Sequence, residues 1–116
     1  MNPLELNDRT FQFSRRIVRL YVSLSTKILH QTIGRQLLRS GTSVGANYRE
    51  ASRGRSKAEF RAKLGDCLKE LEETRFWLEL MQAEEIVKPN RLHDLIQETT
   101  ELIAIFVTII NRSRNP

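Results

Sequence analysis

A chain of 116 residues can bury one hydrophobic core but not two, so a single domain over residues 1–116 is expected. Its 40% apolar and 28% charged composition argues against a disordered chain, and five Gly and three Pro leave few breaks for short strands. The net charge of +5 is uneven: residues 1–55 hold ten Lys/Arg against three Asp/Glu, and residues 56–116 hold nine against eleven. Such asymmetry suits an anionic partner for the first half, or attraction between the halves inside the fold.

Cys67 is the sole cysteine, so an internal disulfide is excluded and a reducing cytoplasm is the expected setting. Met1 to Asp8 contains no apolar run of the secretory kind. The longest apolar stretch, Leu102 to Ile110, is about half of what crosses a bilayer, so no membrane partner is expected.

Four helices are predicted, over about 8–25, 32–53, 56–85 and 90–112. In the first, Phe11, Phe13, Ile17, Val18, Leu20, Tyr21 and Leu24 cover about half the surface, and Arg9, Arg15, Arg16 and Arg19 fall on the opposite arc. The second ends at Gly54, well placed as the residue just past a helix C-terminus. The third opens with a capping box, Ser56-Lys57-Ala58-Glu59. Its Phe60, Leu64, Cys67, Leu71, Thr74, Leu78 and Met81 then alternate spacings of four and three, the pattern of a bundle seam. Pro89 and Asn90 open the fourth, whose inner face is Leu92, Leu95, Ile96, Thr99, Leu102, Ile103, Phe106 and Ile110. From Leu102 to Ile110 this helix is apolar all round, so its outer face needs a second partner: another copy, or the chain's own N-terminal residues or a loop. Short connections between long amphipathic helices make an all-α, up-down-up-down antiparallel four-helix bundle the expected fold.

Catalytic constellations are missing from the sequence. Neither His30 nor His93 lies three residues after a glutamate, as a di-iron bundle site requires, and neither follows an arginine at the spacing of bundle ribonucleases. No cysteine pair for zinc and no Gly-Lys-Ser/Thr phosphate loop is present, so no metal and no cofactor are expected. Glu50, Glu70, Glu73 and Glu79 read as solvated or structural carboxylates rather than acid/base pairs. A non-enzymatic protein is the expectation.

The second helix is unusual. Ser40, Gly41, Thr42, Ser43, Gly45 and Ala46 are small or poor helix formers in mid-helix, and such residues let a neighbouring helix come close. A polar stripe of Ser40, Ser43, Asn47 and Glu50 borders the apolar one and suits register-fixing hydrogen bonds or a subunit interface. A third stripe, Arg35, Arg39, Arg49 and Arg53, projects within roughly 80° over roughly 27 Å, with no acid on the same arc of that helix. Arginine forks suit phosphate oxygens, so this row could track a nucleic-acid backbone. A solvated face, or ion pairs to the third helix, would use the same residues.

The stretch Gln36-Leu37-Leu38-Arg39-Ser40-Gly41-Thr42-Ser43-Val44-Gly45-Ala46-Asn47, then Glu50-Ala51, resembles the signature of a bacterial four-helix bundle family first found encoded in intervening sequences of large-subunit ribosomal RNA genes. Ser56-Lys57-Ala58-Glu59-Phe60, Leu68-Lys69-Glu70, Glu73-Thr74 and Trp77-Leu78-Glu79-Leu80 agree with it; Tyr48 departs, where an aliphatic residue is usual. The resemblance implies a non-enzymatic antiparallel bundle assembled as a homopentameric ring. It implies distant kinship with the accessory protein of diversity-generating retroelements, a basic barrel that binds nucleic acid and a reverse transcriptase. The expected function is therefore a homo-oligomeric protein binding nucleic acid, RNA or a ribonucleoprotein, through Arg35, Arg39, Arg49 and Arg53, with Arg15, Arg16 and Arg19 adding to the field. Ser40, Ser43, Asn47, Glu50, Glu70, Glu73 and Trp77 would hold bundle and ring together. The alternative is a scaffold whose basic face docks an acidic protein.

Overall fold

The computed structural model describes residues 1–114 as four helices: α1 (Pro3–Val22), α2 (Ile28–Ala51), α3 (Lys57–Ala83) and α4 (Pro89–Arg114). Each connection is five residues long (23–27, 52–56 and 84–88), too short for anything but antiparallel neighbours. The rods form a bundle of 49 × 20 × 19 Å, with α1 packed on α2, α2 on α3 and α3 on α4. The fourth seam, α1 to α4, is closed by a two-pronged ion pair in which Arg9 donates to both carboxylate oxygens of Glu98, at 2.8 and 2.6 Å. α1 and α3 therefore lie diagonally opposite, as do α2 and α4.

Each helix end has a local cause. α1 begins five residues earlier than expected because Asn2-Pro3-Leu4-Glu5 is itself a capping box. The Asn2 amide oxygen accepts the Glu5 N–H at 2.9 Å, its amide nitrogen donates back to the Glu5 carboxylate at 2.8 Å, and Pro3 pre-sets the first turn. This extra turn buries Leu6 and Thr10. α1 stops at Val22, and α2 starts at Ile28 rather than Thr32, without a side-chain cap. At the end of α2, Gly54 does not adopt the left-handed conformation expected of it; the helix ends through Ser52, and Gly54 N–H donates to Ala51 O. Ser56 caps α3 by accepting from the Glu59 amide, while the Glu59 carboxylate takes the Arg55 N–H, one residue further back than a standard box.

The left-handed residue lies at the end of α3 instead, and it is Glu85, with φ 54°. Ile86 N–H reaches Met81 O and Glu85 N–H reaches Gln82 O, the two bonds of a Schellman ending. A Cβ is strained in that region by about 1–2 kcal/mol. Glu85→Gly should therefore raise stability by about 1 kcal/mol in chemical denaturation; an unchanged midpoint would show the strain is already relieved.

The core is one continuous cluster. α3 contributes Leu64, Cys67, Leu71, Leu78 and Met81, α4 contributes Leu92, Leu95, Leu102 and Phe106, and Tyr48 meets Phe106 edge-on at 5.8 Å between ring centres. Burying each large apolar side chain contributes roughly 1.5–3 kcal/mol. Burial pushes the Cys67 thiol up to about 12, and it donates weakly to Val44 O, so it stays protonated as a core group.

The glycines of α2 face α1 and the residues just after it. A Cβ on Gly41 would sit 2.7 Å from Ile17 Cγ1, one on Gly45 3.3 Å from Thr10 O, and one on Gly34 2.5 Å from Leu24 Cδ1. The exposed apolar surface lies only partly on α4, where it is expected. On α4, Ile103, Ile105, Ile109 and Ile110 are only partly exposed, and Met1 lines a shallow cavity with Ala104, Ile105, Thr108 and Ile109. Val107 of α4 is 39% exposed, and a longer open apolar stripe runs along α1: Leu4 is 82% exposed, Phe11 44% and Val18 42%, at steps of seven residues. Phe76 on α3 is also exposed. Half of α1's surface is apolar, and a bundle corner buries only Phe13, Ile17 and Leu20 with Leu6 and Thr10.

Candidate nucleic-acid interface

The arginines of α2 divide by direction. At about 100° per residue, Arg35 and Arg53 share one outward heading, Arg39 turns about 40° toward α3, and Arg49 about 40° toward α1. Arg39 is consequently paired: its guanidinium donates to Glu70 Oε2 at 3.0 Å and to Glu73 Oε2. The row that looked free of acid along one helix is met by acid from the next. The Glu73 interaction is the main cause that raises Arg39 above its ordinary range. Arg49 stacks over Phe11, its guanidinium carbon 5.1 Å from the ring centre. Among the described residues, Arg35 and Arg53 are exposed and make no ion pair.

On α1, Arg15 donates to Gln12 and Arg19 is exposed; both border a shallow cavity of about 250 Å³ with Phe11, Ser14 and Val18. Arg16, one position on from Arg15, is half-buried and does not line that cavity. The seven arginines thus fall into an outward pair on α2, one locked to α3, one laid on α1, and a separate α1 group.

The polar residues gather on the α2–α3 seam of one chain. Thr74 Oγ1 donates to Glu70 O at 2.7 Å and accepts from Ser40 Oγ at 2.9 Å, both residues fully buried. Lys63 bonds Glu50 at 2.6 Å. Trp77 Nε1 donates to Glu73 Oε2 at 3.0 Å, completing an Arg39–Glu73–Trp77 chain beside Glu70. Ser43 back-bonds to Arg39 O at 2.6 Å, within its own helix, and Asn47 is half-buried.

The Trp77 hydrogen bond, followed by Arg39, holds the Glu73 carboxyl below its ordinary 4.5. A depressed carboxyl stabilises the fold above its unfolded value, and that stabilisation disappears as pH falls through the folded value. Glu73→Gln should cost about 1 kcal/mol at neutral pH, discounted because Arg39 is half-exposed, and should flatten the loss of stability below about pH 4.5. Denaturation midpoints between neutral pH and pH 3 decide this; parallel curves for the two proteins would remove Glu73 from the acid response.

Two features were not apparent along the sequence. Arg9 belongs to the α1–α4 seam, paired with Glu98. Arg55 and Lys57 join Arg49 and Arg53 around the bundle end, where two adjoining cavities of about 450 and 270 Å³ share Pro3, Tyr48 and Ser52. No cluster of His, Cys, Asp or Glu suited to a metal occurs among the described residues, and no helix there is long and apolar enough to cross a membrane.

Comparison with solved structures finds the same architecture in a member of the S23 ribosomal protein family from Bacteroides thetaiotaomicron. The two are 37% identical, with a TM-score of 0.89 over 96% of this chain and 99% of that one. No curated protein matches. The family model described as 23S rRNA-intervening sequence protein matches residues 2–108, from the Asn2 cap to the last turns of α4. The chain belongs to the 23S rRNA-intervening sequence protein family.

Proposed function

We propose that this is a non-catalytic, cytoplasmic, homo-oligomeric protein that binds nucleic acid, RNA in the first place, through the outward crest of α2. The observation that carries the reading is the pairing state of the arginines. Arg35 and Arg53 stand at the two ends of one crest with no carboxylate engaged, while Arg39 and Arg49 are held against neighbouring helices. Exposed, uncommitted guanidinium groups at a fixed spacing favour phosphate over a single small anion.

Self-association follows from the apolar stripe on α1. The diagonal helix presents Phe76 with Glu72 and Glu79 about 40° and 60° to one side of it, four residues before and three after. The α1 stripe is flanked by Arg15 and Arg19. Two unlike faces on opposite sides of a subunit make head-to-tail contacts, which close into a ring when the rotation allows; a pentamer is the ring that the family resemblance implies. α2 carries the crest beside the α1 stripe, with Leu4 sharing a cleft with Arg53 and Phe11 lying under Arg49, and the crest is repeated in every subunit.

Fluorescence anisotropy with a single-stranded RNA in rising salt tests the reading. Arg35→Gln with Arg53→Gln should weaken binding about tenfold and lower the salt slope, whereas Arg39→Gln should change affinity much less. Equal affinity for the wild type and the Arg35/Arg53 variant would reject the crest. If that variant instead loses only an acidic protein partner, the scaffold reading takes its place.

A further inference from the structure

The geometry points to a separate pocket at the α2–α3 end of the bundle that holds one 5′-phosphorylated nucleotide unit, its base on the apolar floor and its phosphate at the basic rim. This rests on the nucleic-acid reading for the choice of anion, but its phosphate contacts are Arg55 and Lys57, which the crest does not use. The larger cavity, about 450 Å³, is within the size range of small-ligand sites. Pro3 from α1, Tyr48 and Ala51 from α2 and Phe60 from α3 supply its apolar wall. Arg55 and Lys57 stand at its edge, with Arg49 and Arg53 on the adjoining cleft, and no carboxylate lines either cavity. The nearby acids are engaged elsewhere, Glu59 by the Arg55 amide and Glu50 by Lys63.

Tyr48 supplies the second observation. It is 3% exposed and lines both cavities, yet its hydroxyl has only Pro3 O as a partner, at 3.5 Å. Strong O–H···O bonds are about 2.7–2.8 Å, and a buried phenol normally has one. A hydroxyl this poorly satisfied, beside Ser52 and Ser56, gives the apolar floor a polar edge. That combination suits a heteroaromatic ring carrying hydrogen-bonding groups better than an acyl chain, and Arg55 and Lys57 at the rim suit its phosphate.

Titration of the full-length protein with AMP, adenosine and inorganic phosphate, followed by backbone amide NMR shifts, tests the pocket. AMP should give saturable shifts at Tyr48, Ala51, Ser56 and Phe60, with adenosine and phosphate each at least tenfold weaker. Arg55→Gln with Lys57→Gln should weaken AMP about tenfold and leave adenosine unchanged. Tyr48→Phe, which keeps the ring, should weaken AMP severalfold. A 5′-phosphorylated oligonucleotide binding more tightly than its 5′-hydroxyl counterpart assigns the unit to a strand end; equal binding of the two, with AMP still bound, assigns it to a free nucleotide. Absence of shifts at these residues at millimolar AMP, or equal affinity for phosphate and AMP, overturns the pocket. Loss of RNA binding in an Arg35→Gln variant, whose side chain lines neither cavity, with AMP binding retained separates this site from the crest; AMP binding with no RNA binding by the wild type would reject the crest alone.

Discussion

Gly41→Ala is expected to destabilise the protein by about 2 kcal/mol, although alanine is the better helix former by about 1 kcal/mol. The added methyl would lie 2.7 Å from Ile17 Cγ1, 2.8 Å from Cγ2 and 3.1 Å from Cδ1. Ile17 is fully buried, and three of its carbons crowd the same point, so a rotamer change cannot clear it. α1 and α2 must separate, which also loosens the approach of Gly45 to Thr10 and of Gly34 to Tyr21 and Leu24. Overpacking of this kind costs up to about 3 kcal/mol, which the helix propensity offsets only in part. Gly65 is the internal control. It is in mid-helix on α3, exposed, and a Cβ there meets nothing within 4 Å. Gly65→Ala should raise the stability of the monomeric fold by about 1 kcal/mol. Thermal unfolding at matched subunit concentration should move down by about 8 °C for the first and up by about 4 °C for the second. A neutral or stabilising Gly41→Ala would mean that the α1–α2 contact is softer than the structure has it.

The four rods and most of the core were legible in the sequence because periodicity reports which side of a helix is buried. Leu64 through Met81 on α3 and Leu92 through Phe106 on α4 read directly as core. Periodicity does not report which helix stands alongside. For Arg39 it left a phosphate-binding row, a solvated face and ion pairs to the third helix all open, because Glu70 and Glu73 are thirty-one and thirty-four residues away. Phe11 and Val18 read as core because they extend an apolar arc, but a corner position buries a narrower stripe than α1 offers. The start of α1 was readable in principle: Asn2, Pro3 and Glu5 are cap, first-turn proline and box partner in order. The left-handed ending lay beyond sequence reasoning, since glycine at 54 advertised it and glutamate at 85 adopts it. The bundle-end cavity needed Pro3, Tyr48 and Phe60 brought together from three helices, which only the packing supplies.

The largest single effect should come from Phe11→Glu combined with Val18→Glu, which is expected to convert the proposed assembly into folded monomers. Both side chains are more than two-fifths exposed in the isolated chain, so their removal leaves the buried Phe13, Ile17 and Leu20 untouched and the helical signal unchanged. In a head-to-tail contact, two carboxylates would replace the apolar centre of the interface and meet Glu72 and Glu79 of the next copy, so desolvation and like-charge repulsion act together. Light scattering at micromolar concentration reads the result directly. Charge reversal gives the complementary arm: Arg15→Glu with Arg19→Glu should weaken assembly, and adding Glu72→Arg with Glu79→Arg should restore it. On the proposed reading, RNA affinity should fall about a hundredfold on monomerisation even though Arg35 and Arg53 are intact, because each subunit would then contribute one crest where a ring would contribute several at high effective concentration. The monomeric variant also supplies the background for Gly65→Ala, since Gly65 shares a heading with Phe76 on α3 to within about 20° and its methyl would fall in the contact. A wild-type protein that scatters as a lone subunit at that concentration removes the ring from the account, and a Phe11/Val18 variant of undiminished mass moves the contact to another face.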